Sequence, residues 1–456
     1  MRVLKFGGTS VCGAAQMRRV ARYVAARSHG KRILVVTSAM AGITDRIVEA
    51  VGMAVCGDET WRLVARLIEE RHVECLHGVV AKEQRMAVLR SLRRSFAELG
   101  RGLEELSLTR QASGPLRDRL LAQGEVLAVH LLAAALAKEG RRTRLEPGLS
   151  PVRTDSGWGR AQVDQRLTGA WAKRFTVRWR PGVVPVVPGF VGRDVVGRLT
   201  TLGRGGSDLS ATVLGAALGA DAVEIWTDVD GVCSAPPALV DNARPLRRLG
   251  YDEAAELAFL GASVLHPHAL DPVAGVRIPV MVRNSFNPDG ISTIISGDET
   301  GDEQVAISTV DPVVVFEARR SGHVSVVKGG PVAELVGQAV MVMAGSVDDL
   351  QTVAVRPDDL PRSTELMESA GFVVQPRHDL SLVAVVGRSV AGRPEVAGRT
   401  FCELARQAVP VFGMTTGAGR NSLRFLVDRS HTRQVVRALY ETLVGTAELN
   451  SVPVSA

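Results

Sequence analysis

Two glycine-rich turns carry the residue types that a phosphate or a carboxylate would need. The first is Lys5-Phe6-Gly7-Gly8-Thr9-Ser10, reached from a short apolar run. Gly7 and Gly8 let the chain bend tightly and turn backbone N–H groups outward, and the N-terminus of the next helix favours an anion. Lys5, just ahead of the turn, can set its ammonium on a phosphate oxygen. A plain tight turn accounts for a Gly-Gly pair equally well, and the spacing matches neither the P-loop nor the dinucleotide fingerprint. The second turn is Thr200 to Ala211, TTLGRGGSDLSA. Gly203, Gly205 and Gly206 surround Arg204, Ser207 and Asp208 are expected to cap the following helix, and Ala211 begins its packed face. Three glycines around an arginine have little purely structural use. They admit a ligand to the backbone while the guanidinium grips a carboxylate at two points. Thr37 to Asp45, TSAMAGITD, places small hydroxyl residues at a strand's carboxyl end, where open α/β sheets bind ligands. Glu125, in GEVLA, heads a helix and taken alone reads as a solvated cap.

These turns need a sheet to hold them. Residues 2–5, 33–37, 183–187, 222–227 and 278–283 are short apolar runs, alternating with helical periodicity. That order predicts an α/β fold with a mainly parallel sheet covered on both faces by helices. Residues 60–140 carry Leu, Ala, Arg and Glu at helical spacing and read as a helical insertion. The polar stretch 297–304 reads as a linker. Beyond it, strands at 381–387, 409–414 and 423–427 and helices at 395–407 and 431–443 give a strand–helix–strand–strand–helix order, an α+β ferredoxin-like module. Residues 313–380 look like a looser copy, with its long helix shortened and starting at Pro331. Such tandem modules bind a small effector, hold a dimer together, or only add stability.

Composition narrows the class. The chain has 456 residues, enough for two or three domains, with 46% hydrophobic and 23% charged residues. The formal charge of +7 is spread among interspersed acids, which argues against a nucleic-acid stripe and suits anionic small molecules. Lysines are few (Lys5, Lys31, Lys82, Lys138, Lys173 and Lys328), so one beside a glycine turn carries information. Cys12, Cys56, Cys75, Cys233 and Cys402 are scattered without C-x-x-C spacing, which argues against disulfides and a zinc site. With no signal segment, and with the longest apolar run near Leu131 to Ala137, a membrane role is not expected and a reducing, cytoplasmic compartment is.

Taken together, the motifs resemble the aspartokinase branch of the amino-acid kinase family. KFGGTSV, SAMAGIT, GE opening a helix, GFVG at Gly189 to Gly192, TTLGRGGSD, TDVDGV at Thr227 to Val232 and VLHP at Val264 to Pro267 stand in that family's order and spacing. The resemblance runs through residues 1–300, as a catalytic domain, and into 305–456, where NSLRFLV and QVVRAL look like the second of two ACT modules, the first being degenerate. It implies transfer of the ATP γ-phosphoryl group to the side-chain carboxylate of L-aspartate, with Mg2+ bridging phosphates and held mostly by water and phosphate oxygens. By the same likeness Lys5 and Asp208 are catalytic. Ser38, Thr44, Glu125, Arg204, Gly205, Gly206 and Ser207 hold the amino acid, Glu125 facing its ammonium and Arg204 its α-carboxylate. Lys5, Phe6, Gly7, Gly8, Thr227, Asp228, Cys233, Ser263 and Val264 line the nucleotide. No protein metal site is implied, and a homodimer through the ACT-like modules is.

The nucleotide side departs from that pattern. After TDVDGV the family continues Tyr-Thr-x-Asp-Pro-Arg, whereas this chain has Cys233-Ser234-Ala235-Pro236-Pro237-Ala238. Ser263 stands where GAKVLHP has a phosphate-touching lysine, and a lost cation weakens phosphoryl transfer unless another group replaces it. His266, His268 and Arg277 are close in sequence. Three readings follow: an aspartate kinase with relaxed nucleotide contacts and little feedback control, a divergent kinase of a related amino or carboxylic acid, or a weakly active regulatory homologue.

Overall fold

The structure, a computed structural model, describes residues 1–145, 150–180, 182–262, 264–297, 304–320, 339–344, 351–369, 372–417 and 419–445. Its first part runs β1 (Arg2–Phe6), α1 (Ala14–Arg27), β2 (Ile33–Thr37), α2 (Ile43–Cys56), α3 (Trp61–Val79), α4 (Arg85–Thr109), α5 (Gly114–Leu121), α6 (Gln123–Lys138) and β3 (Arg142–Leu145). Then come α7 (Gln165–Arg178), β4 (Val183–Pro188), β5 (Val191–Arg193), β6 (Leu199–Thr201), α8 (Gly206–Leu218) and β7 (Ala222–Thr227). The middle holds β8 (Arg248–Leu249), α9 (Tyr251–Phe259), α10 (Asp271–Ala274), β9 (Val280–Asn284) and β10 (Thr293–Ile295). The last part is β11 (Val305–Arg320), β12 (Met341–Ala344), β13 (Gln351–Val355), α11 (Leu360–Ser369), β14 (Phe372–Gly387), α12 (Pro394–Arg406), β15 (Val411–Thr416), β16 (Ser422–Asp428) and α13 (Thr432–Tyr440).

The chain forms two compact units, Met1–Gly231 with Val264–Gly297, and Val232–Ser263 with Asp298–Ala456. Residues 232–263, placed by the sequence reading in the catalytic half, thus cluster with the tail.

In the first unit the strands lie in the order β3-β4-β2-β1-β7-β9-β10, parallel except for β10. β2 is buried along its whole length, as a strand covered on both faces must be, which is why its sequence is a continuous apolar run. Lys5 occupies the middle of this sheet, in register with Val36 of β2 and Ile225 of β7. The parallel strands therefore deliver Phe6, Thr37, Pro188, Thr227 and Asn284 to one edge. Helices α3 to α6 form the expected insertion, and α6 is buried over most of its turns. The stretch Gly114–Lys138, α5 and α6 with Ala122 between them, is 25 residues long and apolar enough by composition to cross a membrane. Its most apolar window is 89% buried in the protein, so it is a core helix.

The second unit is a six-stranded sheet in the order β12-β13-β11-β14-β16-β15. The two expected modules share it. Val305 to Val310 pair with Leu382 to Gly387, next to β16 and β15, while Val313 to Arg320 pair with Phe372 to Leu380, and Val314 to Ala318 pair with β13, which pairs in turn with β12. The ladder shifts register between Val310 and Val315, around Pro312, which has no N–H to donate. Two cores follow: α12 and α13 pack over one half, burying Val385, Phe425 and Leu439, and α11 over the other, burying Phe316, Val353 and Met367. The shortened helix expected from Pro331 lies outside the described residues.

Candidate active site

The site is built from chain reversals at the carboxyl edge of the first unit's sheet. Gly7 follows β1, and its N–H donates to Trp226 O on β7 at 3.0 Å. Gly8 has ordinary right-handed dihedrals (φ −58°, ψ −37°), so a left-handed turn is not what requires glycine there. Space does: a Cβ on Gly8 would lie 3.1 Å from Ala39 O and 3.3 Å from the Ala41 N and Cα. The two loops cross backbone to backbone. Ser38 N donates to Phe6 O at 3.0 Å, and Ala41 N to Gly8 O at 3.2 Å. The expected helix start after this turn is a single 3-10 turn, Thr9–Val11, and α1 begins only at Ala14.

In the second turn the glycines serve two purposes. Gly203 and Gly205 sit at φ +78° and +70°, where an L side chain is strained, and a Cβ on Gly205 would run into the side chain of His266. Gly205 is the N-cap of α8, so Ser207 and Asp208 lie inside the first turn and do not cap it as expected. Gly189 explains the link to β4. Its N–H donates to Thr37 O at 2.9 Å, and a Cβ there would come within 2.7 Å of Ser207 Cβ. Phe190, next to it, holds φ +64°, a conformation that costs a non-glycine residue about 1 kcal/mol or more. A hydrogen bond from Leu202 N to Phe190 O helps to hold it.

The two turns meet through an ion pair. Lys5 Nζ lies 2.5 Å from Asp208 Oδ1, and both residues are 8% exposed. A Cβ on Gly7 would stand 3.5 Å from that Nζ, so the ammonium sits over the Gly-Gly turn. Asp208 is also in the first turn of α8, where the helix dipole favours its charge.

Glu125 is the other charged group, and it is no solvated cap. It is 3% exposed in the first turn of α6; Oε1 accepts from Ala39 N at 3.2 Å, and among the described residues Oε2 has no hydrogen-bond partner. Burial pushes its carboxyl up to about 8, against the lowering effect of the Ala39 N–H. A cation delivered to Oε2 would offset that desolvation. Ser38 and Thr44 are half-buried, on the loop before α2 and in its first turn.

The remaining candidates divide. Arg204 is exposed between Gly203 and Gly205, and Gly206 packs against Leu202 and Phe190. Thr227 ends β7, next to β1, and its Oγ1 donates to exposed Asp228 at 3.0 Å. Phe6 stacks on Trp226 in the core at 5.9 Å and is 1% exposed, so only its backbone is open to a ligand. Half-buried Val264 leads to His266, which abuts Gly205. His268 instead pairs with Asp271 at 3.2 Å on the surface. Cys233 belongs to the second unit, and Ser263 lies outside the described residues.

One supporting residue escaped the sequence reading. Asp118 of α5 is fully buried; its Oδ2 accepts from Thr201 N at 2.7 Å and Gly159 N at 3.0 Å. It thereby fixes the strand that enters the Gly203–Gly206 loop. Nothing in the sequence separates it from the other charges on a helix, since its partners are distant main-chain groups.

With this geometry in place, comparison with known proteins agrees along the chain. The amino acid kinase family model matches residues 1–284, and an ACT domain model matches 383–443. Aspartokinase 1, chloroplastic, of Arabidopsis thaliana is 31% identical over 473 residues, covering 98% of this chain and 81% of that protein. The structure of E. coli aspartokinase III in complex with aspartate and ADP (R-state) superposes with a TM-score of 0.83 at 27% identity, over 97% of this chain and 99% of that one. The same enzyme with lysine and aspartate (T-state) gives 0.77 at 28% identity, with the same coverage. The chain thus has relatives along nearly its full length, and it belongs to the amino acid kinase family, in its aspartokinase branch.

Proposed function

We propose that this protein transfers the γ-phosphoryl group of ATP to the side-chain carboxylate of L-aspartate, giving 4-phospho-L-aspartate and ADP. The observation that carries the proposal is the Lys5–Asp208 pair joining the two glycine turns, with buried Glu125 held to Ala39 of the loop that crosses the first turn. A carboxylate oxygen attacks the γ-phosphorus, the bond to the β-bridging oxygen breaks, and its electrons leave on ADP. The nucleophile is already an anion, so no general base is needed, and catalysis consists of alignment and charge neutralisation.

Lys5 then meets the transferring phosphoryl group, with Asp208 holding its ammonium in place. Glu125 receives the substrate ammonium on the bare Oε2, Arg204 takes the α-carboxylate, and Ser38, Thr44 and Ser207 orient the amino acid. Gly205 and Gly206 allow its approach. The Gly7 and Gly8 backbone, with Thr227, Asp228 and Val264, serves the nucleotide side. Magnesium would enter as MgATP and neutralise phosphate charge, with phosphate oxygens and water as its main ligands. The tail sheet is proposed to join two copies in a homodimer. The unpaired cysteines, two of them exposed, favour a cytoplasmic location.

The test is a coupled ADP-release assay with hydroxylamine present, which converts an acyl phosphate to a hydroxamate. Aspartyl hydroxamate formed in step with ADP is the expected result. Turnover confined to another acid would refute the substrate, and aspartate binding without ADP release would refute phosphoryl transfer.

A further inference from the structure

The crossing of the loops after β1 and β2 sets the distance between the phosphate side and the amino-acid side of the site. Their backbones touch closely, but past the ends of the two strands a single hydrogen bond joins them. Ala41 N donates to Gly8 O, and the space between the backbones admits no side chain at Gly8. Each loop nevertheless leaves a carbonyl beyond the crossing, Cys12 O on one and Ala41 O on the other. Both point to one side chain. Arg71, half-buried on α3, donates from Nη1 to Ala41 O at 2.8 Å and from Nη2 to Cys12 O at 3.1 Å. Among the described residues no carboxylate pairs with this guanidinium.

We propose that Arg71 is a positioning residue, a two-pronged clasp from the helical insertion that keeps the Lys5 turn and the Ser38–Thr44 loop at the spacing that in-line phosphoryl transfer needs. This rests on the aspartate kinase function proposed above. The planar fork of an arginine suits the task, because its two terminal nitrogens diverge at a fixed angle and can bind two carbonyls at once. A lysine ammonium has no such fixed fork, and among the described residues no other side chain bonds to both loops. The insertion thereby joins catalysis: one helix supplies Glu125, and another sets the gap between the loops.

The clasp touches neither substrate, so its loss should affect alignment more than binding. Arg71→Ala is expected to lower kcat about 10- to 100-fold, the usual cost of misplacing reacting groups by an ångström or so. KM for aspartate and for ATP should move only about threefold. Arg71→Lys should recover part of kcat, and added methylguanidinium should restore Arg71→Ala in part. The matched control is Arg18→Ala. Arg18 Nη1 donates to Gly78 O at 3.0 Å, an equivalent arginine-to-carbonyl bond between α1 and the end of α3, away from both loops. Its loss should lower stability without lowering kcat. Independently of substrate, amide hydrogen exchange in segments 7–12 and 38–42 should quicken in Arg71→Ala and not in Arg18→Ala. If Arg71→Ala does not fold, Arg71→Lys and Arg71→Gln carry the same comparison. Unchanged exchange in those segments, or a loss of kcat that Arg18→Ala matches at equal loss of Tm, overturns the clasp. A wild-type protein that forms no aspartyl hydroxamate overturns the assigned reaction, and the exchange comparison still decides whether Arg71 holds the two loops.

Discussion

Glu125 makes a quantitative prediction because its carboxyl is displaced far from an ordinary value. Buried, with one oxygen bonded to Ala39 N and the other bare, it titrates near 8 in the ligand-free protein. Binding an ammonium requires the carboxylate. At pH 6 only about 1% of molecules have it, at pH 7 about 10% and at pH 8 about half. The apparent KM for aspartate should therefore fall about 50-fold between pH 6 and pH 8 and level off above pH 9, while KM for ATP follows no such curve. Glu125→Gln should bind aspartate poorly at every pH and flatten the profile. Stability moves the opposite way. The folded value lies above the unfolded 4.5, so the contribution of this group is fully present below 4.5 and is lost as pH rises through about 8. Between pH 6 and 8 the loss is about 2 kcal/mol, at about 1.4 kcal/mol per pH unit before the curve bends. Thermal melts without aspartate should show wild type losing Tm over that range and Glu125→Gln losing less. A KM for aspartate that is constant from pH 6 to 8, or parallel melting curves for the two proteins, would refute the reasoning.

Three other substitutions probe the same edge of the sheet. Lys5→Ala should cut kcat by about 10²- to 10³-fold with aspartate affinity nearly intact, read by single-turnover ADP formation and calorimetry, and it should lower Tm because Asp208 is left charged and almost buried. Substantial residual turnover would remove Lys5 from the phosphoryl-transfer step. Gly205→Ala meets both φ +70° and the His266 side chain, so Tm should fall by several degrees and kcat/KM for aspartate by tenfold or so. Asp118→Ala strands the N–H groups of Thr201 and Gly159 at about 1–3 kcal/mol each, and steady-state kinetics should show a raised KM for aspartate as the Arg204 loop loses its anchor.

Much of this site can be read in the sequence because its parts are short-range. A strand buried on both faces is an unbroken apolar run, and a glycine turn directly after one marks a place where backbone meets ligand or another backbone. That is why Lys5, Gly7, Gly8 and the Gly203–Asp208 loop stand out. What is hidden depends on distant partners. Asp118 and Arg71 look like surface charges on amphipathic helices, because each bonds to carbonyl or amide groups far away in the chain. Glu125 reads as a solvated cap until α6 proves to be buried. β3 begins Arg-Thr-Arg because it is an edge strand whose side chains are exposed or only half-buried, so they need not be apolar. In the tail, β11 passes through Asp311-Pro312 with only a shift in register.

Those long strands, β11 and β14, place a restriction on how the tail can change. Each gives one end to either half of the sheet, so cutting the chain near residue 345 or 380 would not release a free-standing regulatory piece; it would strip a central ladder from both halves at once. The first half of the sheet is therefore needed as the pairing partner of the second, whether or not it binds a small molecule.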